Sequence, residues 1–239
     1  MLFYKDEIAW YPHLTHLWFL LNVFVYFYLL LPITTILKNK PNGFLKKILK
    51  SVLSFRLGIY VFSLPFLLEA LVVNPQNYPS YANSLHGWAL GIVCFSCGYI
   101  FVSLKDIFWN CLNRVKSISF FVAISLYLYR LLMMELWAPS VLIAFESFNW
   151  MISILGFSAR YLNQPSRALK YLSAAVYPVY IVHMPIQYFF CLYILPLSIS
   201  ALTKFILIVL FVFGVSFTIY DSMIKRVNWL RPLFGMKMK

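Results

Sequence analysis

Charged residues are scarce in this sequence, and acidic ones are the scarcest. Its 239 residues include 7 Asp and Glu against 20 Lys and Arg, so charged side chains make up 11% of the chain and hydrophobic ones 62%. Soluble globular domains carry about 25% charged residues. This shortage excludes a soluble domain. It predicts an all-α, polytopic transmembrane bundle, because a hydrocarbon core of ~30 Å is crossed by helices of about 20 apolar residues.

Few polar interruptions break the apolar sequence, and about seven spans of the required length can be drawn through it. The predicted spans run near Leu17 to Leu37, Ser51 to Val73, Leu85 to Leu104, Ile118 to Trp137, Val141 to Ala159, Tyr171 to Phe190 and Ala201 to Tyr220.

Lysine and arginine are absent from every second connection between these spans, namely Asn74 to Ser84, Glu135 to Ser140 and Cys191 to Ser200. The other connections and the C-terminal tail are rich in them. By the positive-inside rule the basic loops and the C-terminus are cytoplasmic and the N-terminus is outside. The net charge of +13 therefore orients helices and can contact anionic lipid; it does not indicate a nucleic-acid partner.

Cysteine is infrequent and carries no metal signal. Cys94 and Cys97 have C-x-x-C spacing, but they lie within an apolar span and no second ligand pair accompanies them. A zinc or redox centre is therefore disfavoured, and ordinary packing is the preferred interpretation. No metal site is predicted.

The few ionisable residues inside the spans lie mostly toward the external side, and Arg56 is the exception at the cytoplasmic side. At a rise of about 1.5 Å per residue, six of them fall in the outer half of their spans. These six are His16, Glu69, His86, Arg130, Glu146 and His183. Because charged and titratable groups within a membrane normally face the bundle interior or a watery cavity, we infer a polar cavity that opens outward.

His183 is the most conspicuous of the six, because it lies in the apolar run from Tyr171 to Gln187 together with Pro178 and Pro185. A histidine at such a depth is a functional candidate by default. A structural role is equally open: a neutral imidazole could bond to a backbone carbonyl that Pro185 frees. For His16, at the interface, contact with water is the corresponding alternative.

Arg130 and Glu146 fall at similar heights on consecutive antiparallel helices. An unpaired charge at that depth costs at least ~2.5 kcal/mol, so an ion pair between them is expected if neither binds a substrate.

Small residues at Gly87, Gly91, Ser96 and Gly98 in the third span are expected to permit close helix contact.

Four motifs, in order along the chain, resemble one known family. They are HLWFL at His16 to Leu20, ILG..RYLN..S at Ile154 to Ser166, YL..A.YP.YI.H.P at Tyr171 to Pro185, and LRPLFG at Leu230 to Gly235. Together they resemble the membrane-integral acyltransferase family 3, and most of all its branch that succinylates periplasmic glucans.

The resemblance implies a multi-pass enzyme of the bacterial cytoplasmic (inner) membrane. Such an enzyme would move an acetyl or succinyl group from cytoplasmic acyl-CoA, a co-substrate, to a hydroxyl of a periplasmic or surface glycan, with no bound cofactor. Members begin with a cytoplasmic N-terminus and a first helix that bears a catalytic histidine, and nothing here matches that helix. The resemblance therefore predicts that residues 1–239 form a single, N-terminally incomplete domain starting at the fourth family helix.

Acyl transfer to a hydroxyl needs a base, a group that stabilises the oxyanion and a means of positioning donor and acceptor. On this logic His183 or His16 could orient an acceptor, Glu146 could hold a histidine tautomer, and Arg130 could bind an anionic group. The resemblance assigns proton transfer to the histidine of the absent first helix, so these residues would supply the acceptor cavity and part of the donor path. The further candidates for substrate binding are Glu69, His86, Tyr177 and Tyr180.

Two alternatives remain open from the sequence. The chain could be a catalytically incomplete remnant, or a subunit whose partner supplies the missing helices. It could instead be a small-solute transporter, since proline-broken helices and buried charges also occur there; the lack of an internal repeat between its halves disfavours this interpretation.

Overall fold

The computed structural model describes residues 18–39, 43–75, 78, 84–134 and 138–238, and within them the secondary structure is entirely helical. The prediction of an all-α protein is confirmed. The α-helices are α1 (Trp18–Asn39), α2 (Phe44–Ser54), α3 (Leu64–Val73), α4 (Leu85–Leu104), α5 (Asp106–Met133), α6 (Ser140–Tyr161), α7 (Arg167–Ile194) and α8 (Ala201–Ile219). Shorter elements are a 3-10 helix at Gly58–Ser63, a π-helical turn at Tyr220–Ile224 and a 3-10 turn at Arg231–Phe234.

Among the described residues, six helices are long and apolar enough to cross a membrane, and a seventh crossing results if the bent segment 44–73 is counted as one span. The chain is therefore a multi-pass membrane protein, as the hydropathy predicted. Two spans are longer than the apolar runs alone suggested. Helix α5 begins at Asp106 rather than near Ile118, and α7 begins at Arg167 rather than near Tyr171, because helical hydrogen bonding continues beyond the apolar stretch into turns that carry charged side chains.

Contacts within the chain cluster in two units, residues 1–163 and 164–239. A single domain over residues 1–239 stays a prediction.

The second predicted span is not one straight helix. Helix α2 ends at Ser54, Phe55 adopts an extended backbone conformation (φ −68°, ψ 148°), and the chain bends by 119° before Gly58–Val73. Gly58 packs so tightly over the last turn of α2 that a Cβ there would clash with the backbone carbonyl of Val52. Hydropathy detects an apolar segment but not a bend within it, so the continuous span from Ser51 to Val73 is corrected to a broken one.

The core of the first unit is apolar and forms where α2, the 3-10 helix, α3, α4, α5 and α6 meet. Helices α5 and α6 cross closely at Gly156, where an added Cβ would lie 2.6 Å from the Cβ of Lys116. One polar group enters this core from the 3-10 helix. The Tyr60 hydroxyl donates to Asn149 Oδ1 (2.9 Å) and lies 2.9 Å from Ser119 Oγ. This network holds the broken segment against α5 and α6.

Helix α1 packs on α4 through a glycine. Gly91 lies directly beneath the Tyr26 ring, which leaves no room for a larger side chain there, and the Tyr26 hydroxyl donates to the Trp88 carbonyl (3.0 Å). The prediction of close contact at the small residues of this span is confirmed at Gly91. At Gly98, by contrast, an added Cβ would meet nothing within 4 Å.

The second unit is an antiparallel pair of long helices, α7 and α8, with the C-terminal tail folded back on α7. Its core comprises Ala175, Tyr220 and Ile224. Helix α7 continues through Pro178 and Pro185. The tail turns at Gly235, which has a positive φ of 66° and lies against the Tyr177 ring. The pair places the α7 face that carries His183 opposite the apolar side chains of α8.

Candidate functional site

Glu69 and His86 form a buried pair that joins the C-terminal half of α3 to the N-terminal turn of α4. His86 Nδ1 lies 2.6 Å from Glu69 Oε1, and the two side chains are each 3% exposed. His86 follows the N-cap residue Ser84, whose hydroxyl accepts from the Gly87 amide, so the first turn of α4 sets its position. The sequence placed these two residues at similar depth, and the structure brings them into contact.

The hydrogen-bond partners of His86 assign its protons. Nε2 lies 3.1 Å from the Tyr78 carbonyl oxygen, which can only accept, so Nε2 carries a hydrogen. The other ring nitrogen, Nδ1, is hydrogen-bonded to Glu69 Oε1. With both ring nitrogens engaged, His86 fastens the α3–α4 end of the bundle, and binding of a substrate by the imidazole would require this pair to open.

Tyr78 covers the pair. Its ring packs on the His86 imidazole with 4.7 Å between the centroids. Burial and, secondarily, the nearby Glu69 carboxylate raise the pKa of Tyr78 to about 12. The phenol is therefore neutral at physiological pH and adds no charge beside Glu69. Within the described residues the second carboxylate oxygen, Glu69 Oε2, is buried and has no hydrogen-bond partner.

Arg130 on α5 and Glu146 on α6 form a second pair with two-point geometry. Arg130 Nε donates to Glu146 Oε2 (2.9 Å) and Nη2 donates to Oε1 (3.1 Å). The predicted ion pair is confirmed. Glu146 was also predicted to hold a histidine tautomer. Here both of its oxygens bind Arg130, and the carboxylate that contacts a histidine, among the described residues, is Glu69.

A cavity of about 410 Å³ lies beside this ion pair, lined by Ile124, Tyr127, Leu128, Arg130, Glu146 and Trp150. The described residues that line it include neither Glu69 nor His86. These four residues belong to the six that the sequence predicted around one outward polar cavity, and in the structure they form two pairs, Glu69 with His86 and Arg130 with Glu146.

His183 lines a different cavity, of about 350 Å³, between α7 and α8. Gln187 and Cys191 follow it at intervals of four residues, so the three side chains form a polar stripe along one face of α7. The opposite wall is contributed by α8 and is apolar except for Ser216, whose hydroxyl is buried without a hydrogen-bond partner among the described residues. The cavity thus has one polar and one apolar wall.

The tautomer of His183 follows from a short backbone contact. Nδ1 lies 2.6 Å from the carbonyl oxygen of Tyr180, one turn earlier in α7. A carbonyl only accepts, so the hydrogen is on Nδ1, and in the neutral ring Nε2 is the basic nitrogen. A bond to a backbone carbonyl was the structural alternative for this residue, although the carbonyl that Pro185 frees belongs to Ile181.

The two tyrosines of the same motif take other positions. Tyr180 offers its carbonyl to His183 and packs its ring 5.7 Å from the imidazole, centroid to centroid. Tyr177 packs on Gly235 of the tail and is absent from the described cavity lining. His16 lies outside the described residues.

Sequence reasoning missed two sets of polar residues. One is the buried network of Tyr60, Ser119 and Asn149. The other is Gln187, whose spacing of four from His183 was a sufficient signal for a shared helix face.

Within the part of the chain that the structure describes, no group of three or more His, Cys, Asp or Glu side chains could hold a metal ion.

Comparison of the chain with protein-family models, with curated proteins and with solved structures finds no match.

Proposed function

We propose that this protein is a membrane O-acyltransferase that moves an acetyl or succinyl group from cytoplasmic acyl-CoA to a hydroxyl of a periplasmic or surface glycan. The membrane would be the bacterial cytoplasmic membrane, with the C-terminus inside. The observation that carries the proposal is the position of His183. It belongs to the YP.YI.H motif, lines a cavity between two spans, and donates from Nδ1 to a backbone carbonyl.

In this proposal His183 Nε2 accepts the proton of the acceptor hydroxyl. The hydroxyl oxygen bonds to the acyl carbon, the bond from that carbon to the CoA sulfur breaks, and the proton passes to the thiolate. The bond from Nδ1 to Tyr180 holds the ring in the required tautomer, as the orienting partner of a catalytic histidine must. Gln187, one turn further along the same face, would hydrogen-bond a sugar hydroxyl.

Arg130 and Glu146 support the proposal less than the sequence suggested. Each neutralises the other, so their presence within the spans is explained without a substrate. The charged acceptor or donor groups assigned to Arg130 would have to compete with Glu146 for the same guanidinium.

The test uses a strain that lacks the gene, complemented with the whole chain, and measures radioactive acetyl and succinyl incorporation into envelope carbohydrate. We expect wild-type protein to restore incorporation and His183→Ala to lower it by about 10²-fold or more, the usual contribution of a general base. Cys191→Ala, on the same cavity face, is the matched control and should retain activity. Membrane amounts are compared by a C-terminal fluorescent fusion.

Two results would contradict the proposal. Unchanged acylation in the deletion strain would remove the enzymatic function, and full activity of His183→Ala would reduce that histidine to a structural residue. Incorporation in cells but not by the purified chain would instead identify it as a subunit that needs a partner.

Small-solute transport is the second candidate, and the break between α2 and Gly58 favours it, because discontinuous spans are common in transporters. Proteoliposomes that contain the purified chain separate the two functions. Uptake of a labelled solute in the absence of acyl transfer would select the transporter.

A further inference from the structure

Helix α2 has an unusually clean division into a basic face and an apolar face. On a helical projection its polar residues occupy one half, and Lys46, Lys47 and Lys50 all lie there. No Asp or Glu occurs between positions 38 and 68. Within the described residues these lysines form no ion pair, so no described carboxylate neutralises the basic face.

The apolar half of α2 is only partly covered by the bundle. At the C-terminal end Leu53 is fully buried in the core. At the N-terminal end Phe44 is 81% exposed, and Leu45 and Ile48 on the same flank are exposed as well. The helix therefore rests on the protein at one end and presents an apolar flank beyond it at the other.

The geometry of α2 is that of a helix lying along a membrane surface. Its 11 residues span about 17 Å, which is too short to cross a hydrocarbon core of ~30 Å. The bend of 119° from the segment Gly58–Val73 puts α2 within about 30° of the perpendicular to that segment. If Gly58–Val73 runs across the bilayer, α2 lies close to the membrane plane.

The bundle fixes the C-terminal end of α2 in this orientation. Arg114 on α5 donates from Nη2 to the Leu53 carbonyl (3.0 Å), one of the carbonyls that the end of a helix leaves without an intrahelical partner. The N-terminal end of α2 carries Phe44 on the apolar flank and Lys46 and Lys47 on the basic face, with Lys50 one turn further along that face.

We propose that α2 is an interfacial helix that binds anionic phospholipid headgroups through Lys46, Lys47 and Lys50, with its exposed apolar flank in the acyl-chain region. A basic face combined with a bare apolar flank in the membrane plane is the chemistry that recognises an acidic lipid surface. A soluble phosphate ligand would use the basic face but would leave the apolar flank uncovered. The bound lipid would hold α2 at its bend and so support the 3-10 helix that carries Tyr60 into the core.

The test measures lipid preference at α2 itself, in the full chain reconstituted into vesicles. A bimane fluorophore is attached to Phe44→Cys after the four native cysteines are replaced, and its quenching by brominated phosphatidylglycerol is compared with quenching by brominated phosphatidylcholine. We expect stronger quenching by the anionic lipid. Each Lys→Gln substitution should weaken the preference about fivefold, and Lys46→Gln/Lys47→Gln/Lys50→Gln should abolish it.

Two controls make the result specific to the basic face. Bimane at Leu132→Cys, an exposed position on α5, should show no lipid preference. Lys46→Arg/Lys47→Arg/Lys50→Arg keeps the charge and should keep the preference. Equal quenching by both lipids at position 44 would overturn the proposal. So would relief of the quenching by 1 mM CoA, which would identify a soluble phosphate ligand as the occupant.

Discussion

Four ionisable side chains within the described spans of the first unit are each paired with another ionisable side chain. Glu69 is paired with His86, and Arg130 with Glu146. In both cases the partner lies on the neighbouring helix, so that each pair joins two spans. Desolvating two charges is costly, and removing one partner leaves the other charged or polar group buried alone. The main consequence of breaking either pair is therefore a buried charged or polar group without a partner, which lowers the stability of the protein.

This asymmetry gives a prediction for Arg130 and Glu146. We expect Arg130→Leu to lower the free energy of unfolding by about 3 kcal/mol, because it leaves the Glu146 carboxylate buried without a partner. The double variant Arg130→Leu/Glu146→Leu should recover most of that loss. The free energies are measured by denaturant unfolding in detergent micelles, with Arg130→Lys as the variant that keeps the charge but not the two-point geometry. If the loss of unfolding free energy in the double variant equals the sum of the losses in Arg130→Leu and Glu146→Leu, the two side chains are not coupled.

At the scale of elements, close helix contact depends on which glycine faces a neighbour. Gly156 lies where α6 crosses α5, and a Cβ there would come within 2.6 Å of the Lys116 Cβ and 3.3 Å of the Leu112 carbonyl oxygen. Gly98 in α4 has open space around it. Both glycines lie inside a helix and look alike in the sequence, so only the packing distinguishes them.

We therefore predict opposite effects for two chemically identical substitutions. Gly156→Ala should destabilise the protein by about 1–3 kcal/mol, because the added methyl group pushes α5 and α6 apart. Gly98→Ala should be neutral or stabilising by up to about 1 kcal/mol, since alanine favours the helix and meets nothing. Thermal unfolding of the two variants in the same detergent makes the comparison. Equal destabilisation would show that α5 and α6 do not cross at Gly156.

For the whole molecule, the number of crossings and the side of each loop are linked. The basic connections are predicted to be cytoplasmic by the positive-inside rule. If Gly58–Val73 with α2 makes one crossing, its two ends lie on opposite sides of the membrane; if the segment re-enters, they lie on the same side. The bend of 119° makes this a real question, because α2 itself is too short to cross.

Labelling of single cysteines shows on which side of the membrane each loop lies. Each cysteine is introduced into a chain without its native cysteines and is labelled with a membrane-impermeant maleimide. We expect Pro75→Cys, Ala138→Cys and Ser198→Cys to react in intact cells. Gly43→Cys and Asn163→Cys should react only after permeabilisation, because the lysine-rich and arginine-rich loops stay inside. Labelling of Gly43→Cys and Pro75→Cys from the same side would make the second segment re-entrant and leave six crossings.

The sequence by itself determined the class of the fold, and it predicted a height in the membrane for each polar residue. Apolar runs of membrane length identify spans, and the fixed rise of a helix converts residue number into height. This is why the pairing of Arg130 with Glu146 could be predicted: two opposite charges at one height on consecutive helices have few other partners in a membrane.

Only the tertiary structure decided which side chains of neighbouring helices are in contact. Height does not specify which side of a helix meets a neighbour, so the contact of Glu69 with His86 and the apolar α8 wall opposite His183 were not predictable. The bend at Phe55 was also not predictable, because hydropathy depends on residue composition and carries no information on the direction of the backbone. Depth in a membrane follows from one helix alone, whereas a site is made by the packing of several.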